Sequence, residues 1–208
     1  MKKGLLAVLL AVAMVAPVFA AKGDMSVNAK LGLGFSNTGK LFMEPDGGEQ
    51  TDDVYMGIKF DTPISFGGEF FYGLMDNLSV GFGVNYTLDS SETFEGMKVK
   101  AGTTNLYLAV KPEFKVETEF ISSVYLIGQI GLAMPRMDID RAPVDISVDS
   151  GLYLGAGFGA MIKDAFFVEL ILSSSNGTAK FPISSSTKVD IDVQYTATTL
   201  NVGYKFAL

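Results

Sequence analysis

The sequence predicts an all-β fold: an eight-stranded antiparallel up-and-down transmembrane β-barrel behind an N-terminal cleavable signal peptide. Three observations on the 208-residue chain carry this expectation. Apolar residues alternate with small or polar ones over long stretches, the period of a strand with two different faces. The stretches between these runs alternate long, short, long, short, long, short, long, and seven connections join eight strands. After the first twenty residues no continuous apolar run is long enough for a membrane helix, so insertion has to proceed through strands.

The first strand sets Val27, Ala29, Leu31, Leu33 and Phe35 on one face and Asn28, Lys30, Gly32, Gly34 and Ser36 on the other. A polar, Gly-rich stretch, 37–53, follows. The second strand keeps its parity from Val54 through Met56, Ile58, Phe60, Ile64, Phe66, Phe70 and Tyr72 to Leu74, with Lys59, Asp61, Ser65, Gly67, Glu69 and Gly73 opposite. Asp76-Asn77 turns tightly into a third strand of Leu78, Val80, Phe82, Val84, Tyr86 and Leu88. After a polar stretch, 89–103, the fourth strand carries Leu106, Leu108, Val110 and Phe114. A short turn near 116–118 leads to the fifth, with Phe120, Val124, Leu126, Ile130 and Leu132. An acidic stretch, 135–149, separates it from the sixth, with Leu152, Leu154, Phe158 and Ile162. Lys163-Asp164 turns the chain into the seventh, Phe166, Val168, Leu170 and Leu172. A Ser-rich stretch, 173–188, precedes the last strand, whose apolar residues change parity: Val189, Ile191, Val193 and Tyr195 are odd, Leu200 onward even. A bulge at 196–199 is expected to bring both sets to one face.

The N-terminus reads as a secretory signal. Lys2 and Lys3 form its positive region, Leu5 to Val15 its apolar run, and Pro17 precedes Val18-Phe19-Ala20, with small residues at the cleavage positions. The run is too short for a membrane anchor, which needs about 20 apolar residues. The chain thus divides into a signal peptide, 1–20, and a barrel domain, 21–208. At the other end, Asn201-Val202-Gly203-Tyr204-Lys205-Phe206-Ala207-Leu208 reads polar-x-Gly-x-x-apolar-x-apolar. This resembles the C-terminal β-signal by which barrel-assembly machinery recognises the last strand of a membrane barrel. Export at one end and that signal at the other point to a bacterial outer membrane.

In pattern the whole mature chain is similar to the eight-stranded OmpA/OmpX-type barrels, with the OmpW-like barrels as a second comparison. The resemblance implies long extracellular loops, short periplasmic turns and both termini on the periplasmic side. It implies outer-membrane lipid and the assembly machinery as partners. Phe70, Tyr72, Phe114, Phe120, Phe166, Tyr204 and Phe206 lie near the proposed periplasmic end on the apolar face, as an aromatic girdle does. A secreted β-sandwich also alternates, but it needs no loop rhythm and spreads its core aromatics along the strands.

Composition narrows the chemistry. The formal charge is -7, and removing a signal with two lysines and no acids takes the mature chain to about -9, a sign that disfavours nucleic acid. Cysteine is absent, so disulfides and thiol chemistry are excluded. Histidine is absent too, so neither a Ser-His-Asp arrangement nor a His-ligated zinc site can be assembled. No catalytic, cofactor-binding or metal-ligating residue is nominated, and an enzyme is not expected.

Six charged residues fall at matching heights on the polar face, close to the periplasmic strand ends: Lys30, Glu69, Lys111, Glu113, Glu169 and Lys205. An eight-stranded barrel is only wide enough inside for side chains, so these charges have to pair. A structural lumen plug is the preferred reading over a gate or proton site. Asp138, Asp140, Asp145 and Asp149 crowd one loop, and Glu44, Asp46, Glu49, Asp52 and Asp53 another. Hard cations favour several carboxylate oxygens, but Asp138-x-Asp140 does not continue into an EF-hand pattern, and a solvated loop surface is expected. Asn176-Gly177-Thr178 matches a glycosylation sequon and is read as a turn. The expected role is non-enzymatic: envelope integrity, surface interaction through the loops, or membrane anchoring. The alternative is a narrow channel or lateral conduit for small or hydrophobic molecules, which predicts a gap in the lumen lining above the charged layer.

Overall fold

The computed structural model describes residues 23–43, 54–59, 62–94, 97–116, 118–139, 147–182 and 188–208. They form ten strands: β1 (Met25–Met43), β2 (Val54–Lys59), β3 (Ile64–Met75), β4 (Leu78–Phe94), β5 (Met97–Lys115), β6 (Ile121–Ile139), β7 (Ser147–Asp149), β8 (Gly151–Ile162), β9 (Phe166–Pro182) and β10 (Lys188–Ala207). All pairings are antiparallel. The order β10-β1-β3-β4-β5-β6-β8-β9 closes through a β9–β10 pairing, giving a ring of eight. β2 prolongs the line of β3 along β1 in one register, and β7 pairs with β9. The eight-strand ring closes on itself, and this rules out the sandwich.

The seam between the first and last strands runs from Ser26↔Ala207 to Phe42↔Asp192. The periplasmic turns are short, as expected. Lys163 and Asp164 both adopt positive φ, 50° and 60°, the backbone that suits a tight hairpin between right-twisted strands.

The outward face carries the lipid band. On β6, Val124, Leu126, Ile130 and Met134 are exposed. The span from Val124 to Met134 matches the roughly 9–11 residues that a tilted strand needs to cross hydrocarbon. Five residues at the periplasmic end, Phe114, Phe120, Phe166, Tyr204 and Phe206, are exposed as a girdle requires. Phe166, Tyr204 and Phe206 touch in sequence, with ring centroids 5.1 and 4.6 Å apart. Tyr72 departs from the expectation: it keeps outward parity but is buried, and any side chain on Gly23 would strike its ring.

Three sequence expectations are corrected. First, the polar stretches are largely strand. Ser90↔Ala101 through Phe94↔Met97 are paired within 89–103, and Lys188↔Pro182 through Ala197↔Ser173 within 173–188 and beyond. Asn176 is likewise strand rather than turn, and its Oδ1 accepts the Leu152 N–H at 2.6 Å. Water outside and a neighbour on each side are enough to pair polar backbone, so polarity alone does not make a loop. Second, β10 has no bulge at 196–199. Its register with β9 is unbroken from Lys188↔Pro182 to Tyr204↔Phe166. The irregularity sits in β1, between Gly34 and Ser36. Third, and as a result, Ile191 and Val193 share the inward face with Asn201 and are buried in the lumen.

Candidate functional site

The candidate site is the lumen, which is layered. Inward parity brings Lys30 from β1, Glu69 from β3 and Glu169 from β9 to one level. Lys30 Nζ donates to Glu69 Oε1 at 2.7 Å and to Glu169 Oε1 at 2.8 Å, and all three side chains are 4% exposed or less. Tyr107 OH donates to Glu69 Oε1 at 2.8 Å and Tyr125 OH to Glu169 Oε2 at 3.3 Å. Asn201 Nδ2 donates to Glu169 Oε1 at 3.2 Å, and Gln129, itself receiving the Tyr153 hydroxyl at 2.8 Å, reaches Glu69 at 3.4 Å. Two carboxylates on one ammonium leave one net negative charge. The surrounding phenol and amide donors hold that charge, because a buried carboxylate persists only where donors replace water.

Lys111 does not join this layer, contrary to the expectation. It lies between the rings of Phe71 and Tyr125, 4.7 and 5.0 Å from their centroids, and its acidic neighbour is Glu113 at 3.6 Å. Glu113 also accepts the Ser123 hydroxyl at 2.5 Å. The second layer is thus half ionic, half cation–π. Lys205 is half-buried and forms no ion pair among the described residues.

Reading the sequence for charge missed the aromatic members. Tyr107, Tyr125, Tyr153, Phe71 and Phe167 all point inward and are buried. Their signal is a glycine directly across the strand. Gly83 pairs with Tyr107 and Gly159 with Tyr125, and a Cβ on Gly83 would lie 2.7 Å from the Tyr107 ring. Each ring lies flat over the bare backbone of its partner, which is how a narrow lumen accommodates it.

Above the charged layer the lining changes. Val99, Ala179, Ile191 and Val193 are buried inside, while Lys98, Asp138, Asn176 and Asp192 are exposed outside. The alternation has inverted: apolar outward where lipid surrounds the wall, apolar inward where the strands extend past it. Arg136 marks the boundary. It lies over the Tyr86 ring, 4.4 Å from guanidinium carbon to centroid, and donates to Asp89, Thr104 and the Thr87 carbonyl.

Of the acidic-loop residues, Asp138 lies 3.7 Å from Lys100 and Asp149 2.8 Å from Lys180. Glu44, Asp46, Glu49, Asp52, Asp53, Asp140 and Asp145 lie outside the described residues, as does the signal segment. Among the described residues no group of three or more His, Cys, Asp or Glu side chains is placed to hold a metal ion.

A closed antiparallel barrel with an apolar belt, a charged lumen and polar strand extensions defines an integral protein of the bacterial outer membrane. The chain belongs to the outer membrane protein beta-barrel domain family, whose family model matches residues 5–206. It is similar in fold to the outer membrane protein OprG from Pseudomonas aeruginosa, at 16% identity over 88% of this chain and 96% of that one, with a TM-score of 0.50. It is similar also to the outer membrane protein AlkL, at 15% identity over 90% and 92%, with a TM-score of 0.55. No curated protein matches the chain. The protein is placed in the outer membrane.

Proposed function

We propose that the protein is a non-enzymatic barrel with a lumen sealed to through-passage, serving envelope integrity or surface interaction through its long strand extensions. One observation carries this reading: Lys30 ties β1 to β3 and β9 across the interior, and Tyr107, Tyr125 and Gln129 close the space around it. Purified protein in planar bilayers is expected to be electrically silent. Discrete unitary currents from the wild type would overturn the reading.

A second reading, a conduit that admits small apolar molecules from outside and releases them sideways, is favoured by a specific feature. Where β8, β9 and β10 meet, a groove is lined by small residues of both faces, including Gly155, Ser173 and Ala197 inside and Ala156, Ser174 and Thr198 outside. The wall is thin there, and Ser173 and Ala197 also line the polar space inside the lumen above the charged layer. If molecules leave through it, Ser173→Tyr slows uptake of an apolar tracer by intact cells; unchanged uptake would remove this reading.

A further inference from the structure

Two small cavities are stacked in the lumen above the charged layer. The lower, about 20 Å³, is lined in part by Asn37, Ser65, Asn85 and Asn105. The upper, about 40 Å³, is walled in part by Ala101, Pro135, Met137, Val148 and Val193. Both are lined by Thr103, Ser175 and Tyr195, so the two spaces adjoin across these residues, the lower polar and the upper largely apolar.

The lower space has an unusual feature. Asn37 and Ser65 are 4% and 3% exposed, yet Asn37 Oδ1 and Ser65 Oγ have no hydrogen-bond partner among the described residues, and neither has Asn85 Oδ1. Buried acceptors left without donors are costly, and three of them line one space. An occupant that donates satisfies the two amide oxygens, and the Ser65 hydroxyl can pair with it in either role. Asn85 Oδ1 and the Lys30 stem border the same glycine: a Cβ on Gly67 would lie 3.2 Å from the one and 2.9 Å from Lys30 Cε. The net negative charge of the Lys30–Glu69–Glu169 layer disfavours a carboxylate, and a neutral hydroxyl can donate here without the desolvation cost of burying an ammonium head. The apolar walls above suit a short hydrocarbon body.

We propose that these adjoining spaces bind a small amphipathic molecule of the short-chain alcohol class, hydroxyl down among Asn37, Ser65 and Asn85 and hydrocarbon up against Val193 and Met137. The site serves a sealed barrel as well as a conduit, so conductance and uptake results leave it untouched. The test is a titration of isotope-labelled protein in lipid nanodiscs with butan-1-ol and, separately, with butyrate, read by the Asn37 and Asn85 side-chain amide signals. Butan-1-ol is expected to shift both saturably, at least about tenfold more tightly than butyrate, because an acceptor-lined site rejects a head that cannot donate. Ser65→Val is expected to weaken the alcohol by a similar factor. Equal response to both probes would overturn the proposal. So would shifts confined to outward residues such as Leu154 and Leu172, or unchanged affinity in an assembled Ser65→Val barrel. Should that variant fail to assemble, the wild-type contrast between the two probes decides alone.

Discussion

Lys30 is the residue on which the lumen turns, because two carboxylates depend on its single ammonium. Replacing it with methionine keeps the stem but leaves Glu69 and Glu169 unneutralised at close range. Lys30→Met is expected to lower stability by about 3–5 kcal/mol, the cost of stranding a buried charge. Urea unfolding in lipid vesicles, followed by tyrosine fluorescence since the chain lacks tryptophan, measures it. Lys111→Met should lose less by the same measurement. Its acidic partner Glu113 is partly exposed, so water takes over part of the solvation that the lysine supplied. A loss equal to that of Lys30→Met would show that Lys111 belongs to the central layer after all. Gly159 tests packing rather than charge. A valine there meets the Tyr125 ring, and overpacking of this kind costs about 1–3 kcal/mol. Adding Tyr125→Ala should recover part of the loss, so the double variant should be more stable than the two single losses added together. Strict additivity would mean that the ring does not need the glycine.

At the scale of elements, the closing seam is the most exposed point of the design. β10 pairs with β1 along its length, and the Leu208 N–H donates to the Met25 carbonyl at 3.0 Å. Removing residues 206–208 takes away Phe206 and Leu208, both exposed on the lipid face, and leaves the Met25–Val27 backbone without its partner in hydrocarbon. The truncated protein is expected to be exported but unassembled, recovered from the periplasm or degraded there. Cell fractionation of the full-length and truncated forms checks this; normal insertion of the truncated form would reduce these residues to an ordinary strand end. The orientation of upper β10 can be read separately, because the native chain has no cysteine to interfere. A single cysteine at Val193 should resist a bulky water-soluble thiol reagent applied to cells, whereas one at Asp192 should react. Equal reactivity would return the parity change to β10.

For the whole molecule, two solvents shape one sheet. Where lipid surrounds the wall, the lumen is the only place for charge; where the strands pass into water, charge moves outside and the apolar residues close the interior. Closure is what makes this stable, since the eight-strand ring leaves no free edge in hydrocarbon. Unboiled detergent-solubilised protein is therefore expected to migrate differently from boiled protein on a gel. Identical migration of both forms would contradict a closed barrel in detergent.

The class of fold and the identity of the lumen charges were legible in the sequence, because a barrel wall between lipid and a polar lumen imposes strict period two on Val124, Leu126 and Ile130 and places Lys30, Glu69 and Glu169 opposite. The aromatic girdle was legible for the same reason, with Tyr72 the exception that a local contact covers. What only the tertiary structure decided was partnership and side. Glu69 and Glu169 lie 39 and 139 residues from Lys30, so no local pattern reveals that they share it while Lys111 does not. Period two also states that two faces differ without stating which one is inside. β10 runs without an irregularity, so its odd residues stay inward and Ile191 and Val193 lie in the lumen; a shift of one residue there would have exchanged the faces of everything beyond it.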